Sequence, residues 1–132
     1  MATTNITREY RDLDLNFNVH PVKKDITKHV GDLAVINSVK NLLSTNHYEK
    51  PFRPEIGGNI RSLLFENLDS ITSSLIQKEI LRIVETYEPR ASVEELVVQP
   101  SYENNSFSVT IRFSIINRTE PVTISFLLER LR

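Results

Sequence analysis

Apolar and polar residues alternate without a break through the last third of the chain. Phe107, Val109, Ile111, Phe113 and Ile115 fall on one side, with Ser108, Thr110, Arg112 and Ser114 on the other. A period of two is the mark of a strand with one buried face. The pattern returns in Val122, Ile124, Phe126 and Leu128, and a shorter apolar run at residues 96–98 precedes it, with Pro100 expected to close that run. Turn-forming residues at 103–106 and 117–121 separate the three, and such short connections predict an antiparallel meander. Upstream the period lengthens. Ile76, Ile80, Ile83 and Tyr87 recur at the spacing of one helical face, widened by Leu75 and Val84. Asp69, Ser70 or Thr72 can cap this helix, and Pro89 should stop it near Tyr87. Val35/Ile36, Val39 and Leu42/Leu43 stripe a second helix, with Asp32 as its expected N-cap and a fade at residues 44–46. Ile60, Leu63, Leu64 and Leu68 point a third, at 60–67, inward. Leu13, Leu15, Phe17 and Val19 alternate as a short strand that Pro21 should end or hold at an edge. The fold class that follows is α+β: a small antiparallel sheet packed against a long helix and two shorter helices.

At 132 residues the chain is expected to form one domain over 1–132, with a polar, flexible N-terminus at 1–11. Sixteen basic residues against 17 acidic ones leave a net charge of −1, so nothing draws the chain as a whole to nucleic acid or to a membrane surface. No apolar run approaches the ~20 residues of a membrane helix, and the polar start is no signal peptide. The absence of Cys excludes disulfides and thiolate chemistry. The loop at 51–58 holds two prolines and two glycines, which shape it; Gly57-Gly58 lacks the frame of a phosphate cradle.

Candidate chemistry is thin. His20, His29 and His47 stand in separate segments without ligand spacing, so no metal or cofactor site is assigned. No serine lies in a nucleophile frame. Glu66 with Asp69, or Glu85 with Glu88, could act as acid and base on a glycosidic bond, but chance pairs are unavoidable among 17 acids, and no catalytic residue is assigned. Phe52, on the shaped loop, is either a plug into its own core or an anchor into a partner. Glu88-Pro89-Arg90 has a bland reading, a helix end with a solvated acid and an Arg near the negative pole of the helix dipole.

Tyr87-Glu88-Pro89-Arg90, preceded by Pro51-Phe52-Arg53-Pro54-Glu55-Ile56-Gly57 and Leu64-Phe65-Glu66-Asn67, resembles the small baseplate wedge family of contractile phage tails. That family includes the sheath initiator of T-even phages and the related baseplate component of type VI secretion systems. The resemblance runs from about residue 12 through the strands after Arg90. It implies a structural virion protein of the tail baseplate, assembled in the bacterial host cytoplasm in about six copies and contacting baseplate wedge proteins and the tail sheath protein. Glu88, Pro89 and Arg90 carry over as wedge-contact residues, with the Arg90 fork expected to pair with a partner. Sheath subunits are linked by exchanged strands, so the last strand implies a template edge, with Ile124 or Ser125 directing its amide outward. Family members have been labelled lysozyme-like, which makes a carboxylate-dependent peptidoglycan hydrolase the rival function; the equivalent secretion-system subunit is a rival within assembly.

Overall fold

A computed structural model describes residues 11–13, 19, 21–25, 28–116 and 118–130. It is an α+β fold of five strands and three helices among these residues: β1 (Arg11–Leu13), β2 (Lys28–Val30), α1 (Asp32–Ser44), α2 (Ile60–Leu63), α3 (Ser70–Tyr87), β3 (Ala91–Ser101), β4 (Ser106–Ile115) and β5 (Val122–Glu129). The last three form an antiparallel sheet in the order β3-β4-β5, the expected meander. β1 and β2 pair separately, Asp12 opposite His29.

The sheet is built on β4. Phe107, Val109, Ile111, Phe113 and Ile115 are all buried, as the alternation requires. They share one core with Ile76, Ile80, Ile83 and Val84 of α3, with Val35 and Val39 of α1, and with Ile124 of β5. Each fully buried side chain of this size stabilises the fold by about 1.5–3 kcal/mol.

Asp69 caps α3 by accepting a hydrogen bond from the Thr72 amide at 2.7 Å. Leu75 was expected to widen the buried stripe and is exposed instead. At about 100° per residue it lies roughly 120° from the centre of the stripe, and Thr72 and Ser73 are buried in its place. α1 starts one residue earlier than its expected cap: Gly31, at φ 68°, holds the N-cap position without a side-chain bond. Asp32 sits in the first turn, where its carboxylate suits the helix dipole and pairs with Arg118. α2 is one turn, not the eight residues expected; beyond it Phe65 and Glu66 donate to carbonyls three residues back, the tighter bonding of a helix end. At the N-terminal strand, Leu13 and Val19 were assigned to an apolar face and are both exposed. Leu15, Phe17, His20 and residues 1–10 lie outside the described residues, and so does any test of their assignments.

β3 is longer than its pattern shows. A bulge between Val93 and Glu95 shifts the alternation by one residue, so Ala91 and Val93 face inward before it and Leu96 and Val98 after it. Pro100 does not end the strand; it lies within it, opposite Phe107.

The register also gives the direction of each amide. The Arg130 amide donates to the Asn105 carbonyl at 3.2 Å, and this pair continues the β4–β5 register without a break. Hydrogen-bonded pairs therefore recur at Phe107/Leu128, Val109/Phe126, Ile111/Ile124 and Phe113/Val122. Thr123, Ser125 and Leu127 turn their N–H and C=O groups to the side of β5 away from β4, unpaired among the described strands. By the same count Ser106, Ser108 and Thr110 bond towards β3, so Pro100 places its missing N–H on the outer side of an edge strand, where proline removes no ladder bond.

Candidate functional site

At the C-terminal end of α3 the chain turns through Glu88-Pro89-Arg90 into β3. Glu88 is the C-cap residue, its amide donating to the Val84 carbonyl. The solvated-acid reading fails here: Glu88 is 2% exposed. Arg90 donates to it through both arms of its fork, Nε to Oε1 at 2.6 Å and Nη2 to Oε2 at 2.8 Å. Ser38 of α1 donates a further hydrogen bond to Oε2, and Arg90 Nη2 reaches Asp12 Oδ2 of β1 at 3.4 Å. The Ile116 amide donates to the Arg90 carbonyl at 3.0 Å. This cluster joins α1, α3, β1, β3 and the end of β4. Burial pushes the Glu88 carboxyl up, but the Arg90 hydrogen bonds and then Ser38 outweigh it and hold it below its usual range. The same bonds to Glu88 raise Arg90 against the opposing effect of burial.

The geometry corrects one expectation. The bidentate fork of Arg90 is closed on Glu88 inside the chain, and the enclosed Glu88 carboxylate is not free to meet a partner cation. Pro89 is exposed at the apex of the turn and Arg90 is partly exposed. Neither Ser38 nor Asp12 was singled out in the sequence. They lie 50 and 78 residues from their partners, with no local spacing to mark them.

The loop at 51–58 is shaped by its own bonds. Gly58 N donates to Thr45 O, His47 N to Gly58 O and Tyr48 N to Pro54 O, at 2.9–3.3 Å. Gly57 needs to be glycine, since its φ is 114° and a Cβ would stand 2.6 Å from the Thr45 carbonyl oxygen. Tyr87 Oη donates to the Glu55 carbonyl at 2.6 Å and ties the loop to the last turn of α3. Phe52 is fully exposed at the tip, so it is not a plug into its own core.

The two edges of the sheet differ. On β3 the outer edge carries Pro100 and the bulge, and the outward carbonyl of Leu96 accepts from Gln77 Nε2 of α3 at 2.9 Å. On β5 the main-chain groups of Thr123, Ser125 and Leu127 face outward, and the register settles the choice left open in the sequence: Ser125, not Ile124, directs its amide away from β4. Ile124 is buried and paired with Ile111. Next to the end of this edge an apolar groove of about 330 Å³ runs between Leu43, Ile60, Leu64, Leu127 and Leu128.

Of the four acids that could pair on a glycosidic bond, two are engaged within the chain and two are exposed. Asp69 caps α3, Glu88 is held by Arg90 and Ser38, and Glu66 and Glu85 are exposed. The grooves beside β1, beside α2 and below β5 each carry one acid, Asp12, Glu79 and Glu129 respectively. Glu79 is already engaged by the Asn59 amide and by Arg82 at 2.7 Å. Glycosidic hydrolysis by the carboxylate route takes two such groups facing one bond. Among the described residues no cluster of His, Asp and Glu is suited to a metal ion.

Comparison with known proteins matches residues 30–120 to the family described as baseplate wedge protein gp25. The chain belongs to the baseplate wedge gp25 family. It is 30% identical over 118 residues to the baseplate wedge protein gp25 of Enterobacteria phage T4, covering 89% of each chain. The gp25-family fold recurs in two solved structures, each 18% identical. One, from Geobacter sulfurreducens and provisionally described as a tail lysozyme, has a TM-score of 0.70 over 76% of this chain and 92% of its own. The other, in the six-fold symmetrised baseplate of the anti-feeding prophage, has a TM-score of 0.65 over 94% of this chain and 88% of its own. All three elements of the sequence resemblance, the 51–57 loop, the 64–67 segment and the Glu-Pro-Arg turn, fall inside the region matched to the gp25 family. The chain is a structural baseplate wedge protein of contractile-tail systems.

Proposed function

We propose that this wedge protein docks on neighbouring wedge proteins through the side of the molecule that bears the Glu-Pro-Arg turn, and offers the outer edge of β5 to the first strand of the tail sheath. The observation that carries the reading is the contrast between the sheet edges. The β3 edge is closed by proline, a bulge and a helix side chain, while β5 turns a row of main-chain donors and acceptors outward. An open edge is a liability in a free protein and a template in an assembly. Ser125 is the central position of that edge, with Ile124 supporting it from the core side. Pro89 and the exposed part of Arg90 meet the wedge, and Glu88 is the positioning residue that holds Arg90 in place.

The copy number that suits this role is about six per baseplate, one per wedge; the six-fold symmetry of the anti-feeding prophage baseplate supports it. Assembly in the cytoplasm of a bacterial host fits the absence of Cys. Whether the particle is a virion or a secretion machine is decided by the neighbouring genes.

The protein is proposed to be no hydrolase, although one relative by fold carries a provisional lysozyme description. Purified protein should release no more soluble product from peptidoglycan than buffer does, and Glu66→Gln, Asp69→Asn, Glu85→Gln and Glu88→Gln should change nothing. Hydrolysis by the wild type that one of these variants abolishes would replace the structural reading with the enzymatic one.

A further inference from the structure

The tip of the 48–55 loop combines two features that a free protein gains nothing from. Phe52 is 102% exposed and Tyr48 is 86% exposed, so both rings stand in water. Both also hold left-handed backbone conformations, Tyr48 at φ 66° and Phe52 at φ 68°, which bulky L-residues adopt only under constraint. The loop around them is braced. Tyr48 N bonds Pro54 O at 2.9 Å, Glu49 folds back so that its carboxylate accepts from the Asn46 amide at 2.8 Å, and Ile56 is packed against the core. Tyr87 and the close packing around Gly58, whose Cβ would meet the Ile83 side chain at 2.1 Å, fix its base. Strain that the surroundings maintain, at an exposed aromatic, points to a function for the geometry.

We propose that Phe52, with Tyr48 on the same loop, is a preorganised knob that inserts into an apolar socket on another protein of the wedge. An aromatic side chain has few rotors to immobilise, and a braced loop has little freedom left to lose, so most of the burial on docking appears as affinity. Lys50 and Arg53 flank the tip and are exposed. Of the nearby acids, Glu49 is exposed but its carboxylate is turned back onto the Asn46 amide, and Glu55 is exposed beside the point where Tyr87 ties the loop to α3. The socket that complements this tip is apolar at its centre and acidic at its rim. The choice of a wedge protein as occupant rests on the docking proposed above, and the test separates the two.

The experiment compares wild type with Phe52→Gly, which removes the ring and accepts the left-handed conformation without strain. Binding is measured to wedge complexes isolated from particles produced without this chain, and thermal unfolding is measured on the free protein. The unfolding midpoint is expected within about 3 °C of wild type or above it, while affinity for the wedges falls at least about tenfold. Phe52→Trp should restore most of the binding, and Tyr48→Gly should show a smaller loss. Wild-type binding with an equal affinity for Phe52→Gly would overturn the knob and leave wedge docking standing. A wild type that does not bind the wedges would overturn the docking itself. A midpoint lowered by about 8 °C or more would make Phe52 a stabilising residue of the loop and overturn the knob. Binding of wild type, but not Phe52→Gly, to phosphatidylglycerol vesicles would make the tip a membrane contact and overturn the proposal.

Discussion

Arg90→Ala is expected to destabilise the protein by about 3 kcal/mol and to lower its unfolding midpoint by roughly 10 °C. The reason is the state of Glu88. The residue is 2% exposed and its carboxylate takes two hydrogen bonds from the Arg90 fork, and removing Arg90 leaves a buried charge with Ser38 as its one side-chain donor among the described residues. Breaking such a pair costs more than the pair itself contributes, because the orphaned ion stays desolvated. The lower end of the usual range applies, since Arg90 is partly exposed and water can enter. Acid gives a second signature. The folded carboxyl of Glu88 lies below its ordinary value of 4.5, so the stability it contributes is fully present above that pH. It is lost as pH falls through the lowered folded value. In Arg90→Ala the unpaired, buried carboxyl should instead titrate above its ordinary value, so acidification relieves the variant while it weakens the wild type. Urea unfolding at pH 7 and pH 4 measures both effects. Wild-type stability for Arg90→Ala at pH 7 would show that the pair is not a clasp.

Ser125→Pro should leave a folded protein that enters baseplates on which few or no sheaths form, with the sheathed fraction falling about tenfold or more. Proline here removes an N–H that bonds nothing among the described residues, so β5 keeps its ladder to β4. What it removes is a donor at the middle of the outer edge, and its ring obstructs an incoming strand. Ile124→Pro is the internal control. The Ile124 amide is paired with Ile111, so that variant should lose about 3 kcal/mol or fail to fold. Electron microscopy of particles, with the variant detected in isolated baseplates, gives the result. Normal sheaths on Ser125→Pro baseplates would sink strand addition at this edge. Equal tolerance of proline at 124 and 125 would show the amide directions to be wrong.

The parts of the fold that the sequence made legible are those whose side-chain period matches one neighbour throughout. β4 and β5 read straight through, because each lays every second residue on the same core. The α3 face read correctly along Ile76, Ile80, Ile83 and Tyr87, and its end at Tyr87 followed from Pro89. The first half of β3 did not read, since one extra residue at the bulge puts Ala91 and Val93 out of phase with Leu96 and Val98. β2 is three residues long and shows no period at all. The candidate site divides the same way. That the Glu-Pro-Arg turn closes the helix was a local fact; that Glu88 is buried depends on Ser38 and Asp12, which only the folded chain brings there. Phe52 stood out by its brackets of Lys-Pro and Arg-Pro, but its side of the loop was set by backbone bonds from Tyr48 and Gly58 that no pattern of apolar residues encodes.

A wedge subunit whose β5 edge accepts a neighbour's strand, as proposed, leaves a visible mark in the assembled particle. Cryo-electron microscopy of the assembled baseplate, at a resolution that traces main chain, tests it most directly. The expected map has this chain in each wedge, the Glu88–Arg90 pair closed within it, and a strand from the sheath running beside β5 with its groups opposite Ser125. A map with the chain in the wedge but β5 bare against solvent, or with the chain absent from the baseplate, would contradict it.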